Sequence, residues 1–123
     1  MDLKTSYEHV SEYVTVVTLE GELDVYTAPA LRQLLVDLVN HERWFLVVDL
    51  SAVEYVDSTG YGVLVDGLKR VRADDGMMTL VVTQERLAKA FLMTGLIKVF
   101  PIFNTADPAV EFLGRLMHSD LRD

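Results

Sequence analysis

Two short polar segments interrupt an otherwise apolar pattern, and both carry side chains able to do chemistry: Gly21-Glu22-Leu23-Asp24 and Asp57-Ser58-Thr59-Gly60. Each stands where one regular element gives way to the next, and functional residues concentrate in such connections. Ser58 and Thr59 are hydroxyls, so they can accept a phosphoryl group or cap a helix. On these four residues alone a helix start is the commoner reading, with Ser58 as the cap and Asp57 complementing the helix dipole. The alternative uses the same geometry, because a hydroxyl at a helix start is exposed and the unpaired N–H groups beside it accommodate a phosphate. Gly60 and Gly62 would then leave room for the close approach of a kinase or another partner. The segment from Gly21 to Asp24 has the composition of an ordinary turn, where Asp24 would have little core packing to lose.

Other chemistries fit poorly. The chain has no cysteine, and His9, His41 and His118 are scattered without the spacing of metal ligands, so neither a metal nor a cofactor is expected. A nucleophile elbow needs glycine two positions before its serine, where this chain has Val56, and no histidine stands in a place marked as a base. Asp49 could be a phosphate-receiving aspartate at a strand end. Such domains have an acidic pair after the first strand and a Lys-Pro pair near the fifth; here no acidic pair follows Leu19, and Lys98 and Pro101 are separated. Asp49 is therefore read as a group that satisfies backbone donors, and the chain as a non-enzyme.

Bulk properties narrow the class further. A net charge of -8 opposes the phosphate neutralisation that nucleic-acid binding requires, and no Lys or Arg cluster offsets it locally. The longest apolar run, residues 44–48 (WFLVV), is far short of the ~18 residues of a membrane-spanning helix. The opening residues are polar and acidic where a secretory signal needs a basic end and an apolar block, so a cytoplasmic protein without membrane insertion is expected.

The elements that must position the two segments follow from periodicity. Residues 13–19 (YVTVVTL) read as a strand, with residues 3–7 as a weaker strand antiparallel to it. Thr27 as cap, Pro29 in the first turn and Leu31, Leu34, Leu35 and Leu38 on one stripe predict a helix ending near Asn40. Residues 44–50 (WFLVVDL) predict a strand covered on both faces. A second helix then starts close to Ser58, with Leu64, Leu68 and Val71 inward. After the turn Asp74-Asp75-Gly76 come a buried strand over 77–82 and a helix with Leu87, Ala90, Phe91 and Met93 inward, closed by a left-handed Gly95. Residues 97–100 predict a last strand stopped by Pro101. Thr105 and Pro108 open a final helix with Val110, Leu113, Leu116 and Met117 on its apolar side. At 123 residues this is one α/β domain spanning 1–123 with a largely parallel sheet.

Gly21-Glu22-Leu23-Asp24, the strand ending Val48-Asp49-Leu50-Ser51, Asp57-Ser58-Thr59-Gly60 with Tyr61-Gly62-Val63-Leu64, and Met93-Thr94-Gly95-Leu96 occur in that order. Together they resemble the bacterial anti-sigma factor antagonists of the STAS domain family. The resemblance implies a four- to five-stranded mixed, largely parallel sheet with about four helices packed mainly on one side. It also implies a partner, an anti-sigma factor with serine kinase activity, whose binding frees a sigma factor; the kinase phosphorylates the antagonist and a phosphatase restores it. On this resemblance Ser58 is the phosphorylated residue, Thr59 a second hydroxyl, and Asp24, Asp57, Gly60 and Tyr61 belong to the partner-binding surface. Tyr61 stands where the family most often has an aliphatic residue, and is either a partner contact or a core-facing ring. The alternative is a STAS subunit that is not phosphorylated, such as an accessory component of a membrane transporter or a stress-complex scaffold.

Overall fold

The computed structural model describes residues 2–122, with side chains given through Met117. The side chain of His118 thus lies outside the described residues. In chain order the elements are β1 (Leu3–His9), β2 (Val14–Leu23), α1 (Ala28–Asn40), β3 (Phe45–Val56), α2 (Ser58–Arg72), β4 (Met77–Val81), α3 (Glu85–Thr94), a 3-10 turn (Leu96–Lys98), β5 (Ile102–Phe103) and α4 (Ala106–Arg122). The five strands lie side by side in the order β1-β2-β3-β4-β5. As expected, β1 runs antiparallel to β2, and every other pairing is parallel.

The continuous apolar run at the start of β3 has its explanation in the two layers around it. Leu46, Val48 and Leu50 point into a cluster completed by α1, α2 and α3, while Phe45 and Val47 point to the opposite face, under α4. Three of the four helices therefore share one side. Helix α4 covers the other through Ala109, Leu113 and Met117, with Val110 and Leu116 only partly buried. Each fully buried leucine or phenylalanine contributes roughly 1.5–3 kcal/mol, so the two layers supply most of the favourable free energy.

Three expectations require correction. First, both central strands run further than their apolar stretches. Pairing between β2 and β3 continues through Gly21↔Val53 and Leu23↔Val56, across two register shifts, so Gly21 and Glu22 are strand residues rather than a turn. The irregularity breaks the period-two pattern, and β4 pairs with β3 only as far as Asp49↔Val81, so residues 51–56 lack the burial that marks a central strand. Gly21 sits at φ 121, and a Cβ there would stand 2.1 Å from the Asp2 carbonyl oxygen. Second, residues 97–100 do not form the last strand. Gly95 is left-handed as expected, at φ 79, but the chain then makes the 3-10 turn and Phe100 enters the core edge-on to Phe91. Pro101 precedes β5, and its carbonyl accepts from Leu80 N at 3.0 Å. A proline lacks a donor and keeps its acceptor, so it can open a strand. Third, Met93 is 76% exposed while Leu87 and Phe91 are buried and Ala90 is half-buried. Two residues beyond Phe91 is the far side of a helix.

Helix α2 reaches the sheet through Gly60. A Cβ at Gly60 would lie 2.8 Å from the Leu23 carbonyl oxygen and 2.9 Å from Val56 Cγ1, whereas one at Gly62 would meet nothing within 4 Å. Gly60→Ala should therefore lower stability by about 1–3 kcal/mol, the usual cost of overpacking. Gly62→Ala should raise it by about 0.5–1 kcal/mol through helix propensity. Thermal unfolding of the two variants checks this, and an equal shift in both would contradict the packing described.

Candidate functional site

The C-terminal ends of β2 and β3 bring the two polar segments together. The Asp57 N–H donates to the Leu23 carbonyl at 3.1 Å, tying the strand ends to each other. Asp57 then leaves the strand with extended backbone and takes the capping position of α2. One carboxylate oxygen, Oδ1, accepts from Gly60 N at 2.9 Å; the other, Oδ2, accepts from Val25 N at 3.1 Å. The cap is thus Asp57 and not Ser58. A carboxylate in this place makes charge-assisted bonds, stronger than a hydroxyl would make, and its second oxygen can serve a second segment. Ser58 is moved on to the first helical position, where it is exposed, with Thr59 exposed beside it.

Asp24 differs from its expected place in an open turn. It is 8% exposed, and its Oδ1 accepts from Tyr26 N at 2.9 Å and Thr27 N at 3.0 Å. Its own N–H donates to Thr27 Oγ1 at 3.0 Å, and that hydroxyl donates to the Glu22 carbonyl at 2.8 Å. Thr27 precedes α1 but caps it with no side-chain bond; its hydroxyl turns back to the strand end instead. The outcome is a loop, residues 24–27, held from within by Asp24 and from across by Asp57. It presents Val25 at 54% and Tyr26 at 85% exposure. No periodic pattern marks either residue in the sequence; the one signal is an aromatic side chain between the turn-forming Asp24 and Thr27.

Tyr61 is half-buried and faces the core. Its ring meets Phe91 edge-on at 5.2 Å and 82°, a favourable aromatic geometry. Burial first, and the Tyr55 phenol second, push its pKa above the usual 10.0. It lines a cleft of about 140 Å³ with Val56, Gln84 and Leu87. Gln84 Nε2 holds that cleft's wall by donating to the Leu50 carbonyl at 2.8 Å and to the Val53 carbonyl. Gly60 is buried beneath the first turn, so its missing side chain serves the junction between helix and sheet, not room for a partner. Gly62 is the exposed one. Asp49 accepts from Ser51 N at 2.9 Å, the backbone role anticipated for it. His9 is bonded to Thr15 Oγ1 and His41 to the Asp37 carbonyl.

The arrangement is an exposed hydroxyl on a fixed frame. Both oxygens of the neighbouring carboxylate are engaged by backbone donors, and no described side chain hydrogen-bonds Ser58. Asp57→Ala should cost about 1–2 kcal/mol, a lost cap together with the tether to Val25. Asp57→Asn should cost less, because its carbonyl oxygen keeps the cap while its NH2 cannot accept from Val25. Asp24→Ala should cost about 1–3 kcal/mol, since it strands two backbone donors in a nearly buried place. Chemical denaturation of the three variants checks the order, and wild-type stability for Asp24→Ala would return that residue to an open turn.

The comparisons with known proteins place the chain in a family. The STAS domain family model matches residues 6–109. The anti-sigma-B factor antagonist of Bacillus subtilis (strain 168) is 39% identical over 95 residues, which cover 77% of this chain and 86% of that protein. The corresponding Listeria monocytogenes protein is 35% identical over 97 residues, covering 79% and 81%. The crystal structure of an anti-sigma factor antagonist from Mycobacterium paratuberculosis has a TM-score of 0.83 and 32% identity, over 91% of this chain and 94% of that one. A five-stranded sheet of this order, a family model over most of the chain and relatives of this closeness lead to one assignment. The chain belongs to the STAS domain family, among the bacterial anti-sigma factor antagonists.

Proposed function

We propose that this protein acts in the cytoplasm as the phosphorylatable antagonist of an anti-sigma factor that is itself a serine kinase, with Ser58 as the acceptor. Unmodified, it binds the kinase and frees the sigma factor; phosphorylated, it lets the kinase go; a phosphatase returns it to the binding form. It is a substrate and a ligand, with no catalysis of its own. The observation that carries the reading is the placement of Ser58 at the first position of α2, exposed, while Asp57 takes over the capping that a serine usually performs. The identities of 39% and 35% to anti-sigma-B factor antagonists support it over an assembly subunit that is not phosphorylated.

The switch follows from electrostatics. A phosphate on Ser58 adds about -1.5 to -2 charge at the favourable end of the α2 dipole, next to backbone donors, so the helix has no reason to melt. In a complex the same group must be desolvated against the partner. At ~8 Å and an intermediate dielectric each unfavourable charge pair costs on the order of 1–2 kcal/mol, about tenfold in affinity. Thr59 is exposed beside the acceptor, and Val25 and Tyr26 are exposed on the loop that Asp57 ties to the start of α2. Asp24 contributes by shaping the loop, and Asp57 by holding it against α2.

Incubated with its kinase and ATP, the protein should gain one phosphate, on Ser58; Ser58→Ala should abolish the modification and keep partner binding. ATP and magnesium alone should leave the protein unmodified. Mass spectrometry of the product checks both, and a phosphate on Thr59 or elsewhere would contradict the assignment. Tyr26→Ala should leave the thermal midpoint within about ±0.5 kcal/mol of wild type in free-energy terms, as for exposed positions generally. The same change should weaken kinase binding by ~1 kcal/mol or more, as loss of an interfacial aromatic does. Calorimetric titration with the kinase measures this, and unchanged affinity would remove the 24–27 loop from the interface.

A further inference from the structure

Strand β1 is unlike the others. From Lys4 to His9 every residue is exposed, and only Leu3 is half-buried. It forms one edge of the sheet, and among the described residues nothing pairs with its outer side. Natural edge strands are usually short, bulged, interrupted by proline or guarded by charged side chains, lysine above all. The opposite edge, β5, follows that rule with two residues. β1 relies on charge alone, at Lys4 and Glu8: it has seven residues, no proline, and an unbroken register with β2 from Leu3↔Gly21 to His9↔Thr15, so its edge stays open to a strand whose charges match.

The backbone of β1 shows which groups are open. Just beyond its ends, the Asp2 carbonyl accepts from Glu22 N at 3.1 Å and Val10 N donates to the Val14 carbonyl at 3.0 Å. Antiparallel strands alternate residue by residue, so even-numbered residues turn their N–H and C=O toward β2. Leu3, Thr5, Tyr7 and His9 turn theirs outward.

The side chains are complementary to themselves. A twofold axis normal to the sheet and passing by Ser6 pairs all seven residues of two copies: Ser6 with Ser6, Thr5 with Tyr7, Leu3 with His9, and Lys4 with Glu8. The two Lys4–Glu8 pairs fall at positions without backbone bonds, where facing side chains approach most closely. Neither residue forms an ion pair within the chain among the described residues. An axis by Thr5 would set Glu8 against Asp2, and an axis by Tyr7 would set Lys4 against Val10. Both forfeit the charge match.

We propose that β1 is a self-association surface, through which two copies of this chain join edge to edge into one continuous sheet, in the register set by the reciprocal Lys4–Glu8 pairs. The contact is isologous and closed, so it ends at a dimer. Its charges balance locally within a chain of net charge -8. The Ser58 rims face opposite ends of the joined sheet and stay open, so the inference stands apart from the proposed function.

Sedimentation equilibrium of the full chain tests it. The wild type should approach twice 13.9 kDa as concentration rises. Lys4→Glu and Glu8→Lys should each weaken self-association about tenfold, since each turns two attractive pairs repulsive. An equimolar mixture of the two variants should associate again, because every acid then meets a lysine. Lys4→Glu also places an acid opposite Glu20 of its own chain, whereas Glu8 faces Val16, so Glu8→Lys is the cleaner single change. A wild type that stays at 13.9 kDa throughout, a dimer indifferent to both reversals, or a mixture that remains monomeric would each overturn the proposal.

Discussion

One carboxylate organises the functional rim. Asp57 divides its two oxygens between Gly60 N, in the first turn of α2, and Val25 N, in the loop after β2. These donors belong to segments 32 and 3 residues away, and a single ionised group satisfies both. A hydroxyl would offer one uncharged oxygen in place of two charged ones. Everything exposed around Ser58 depends on this division. It frees the serine from capping, sets the height of the 24–27 loop and fixes the end of the helix that would receive a phosphate. Removal of the carboxylate leaves two donors to be satisfied by water at the place where a partner would dock.

The sheet makes that division possible by carrying β2 and β3 past their buried lengths. Their late pairing, through Leu23↔Val56, delivers Asp24 and Asp57 side by side, and Gly60 lets α2 settle on Leu23 and Val56 without a side chain between them. The basic residues Lys69, Arg70 and Arg72 lie in the last turn of α2, so both ends of that helix complement its dipole. A helix anchored in this way can take on charge at its start without reorganising. Under the proposed function, a phosphate on Ser58 would then alter only the surface offered to a partner.

Much of this was legible in the sequence, and the failures share a cause. The helix stripes, the buried β3 run and the start of α2 followed from apolar periodicity, because in those elements burial decides the pattern. The extensions of β2 and β3 did not, since residues 51–56 are only partly covered and register shifts erase alternation. Residues 97–100 look like a strand because three of the four are apolar and two are β-branched, although Ile97 and Val99 are exposed and Phe100 alone enters the core. At the candidate site, residue types mark Ser58, Asp57 and Asp24, which the fold brings together, but not the hydrogen bonds each makes. Which of two neighbours caps a helix, and whether an acid points out or in, depends on backbone direction at a strand end. Tyr26 carries no such mark, because exposure in a loop leaves no periodic trace.

The rim's hydrogen-bonded frame should persist when its surface charge changes. Amide NMR spectra of the protein before and after phosphorylation of Ser58 test this most directly. The account predicts shifts confined to residues 24–27 and 57–61, with the Val25 and Gly60 amides still protected from exchange. Loss of protection at either amide, or changes spread through β2, β3 and the body of α2, would contradict it.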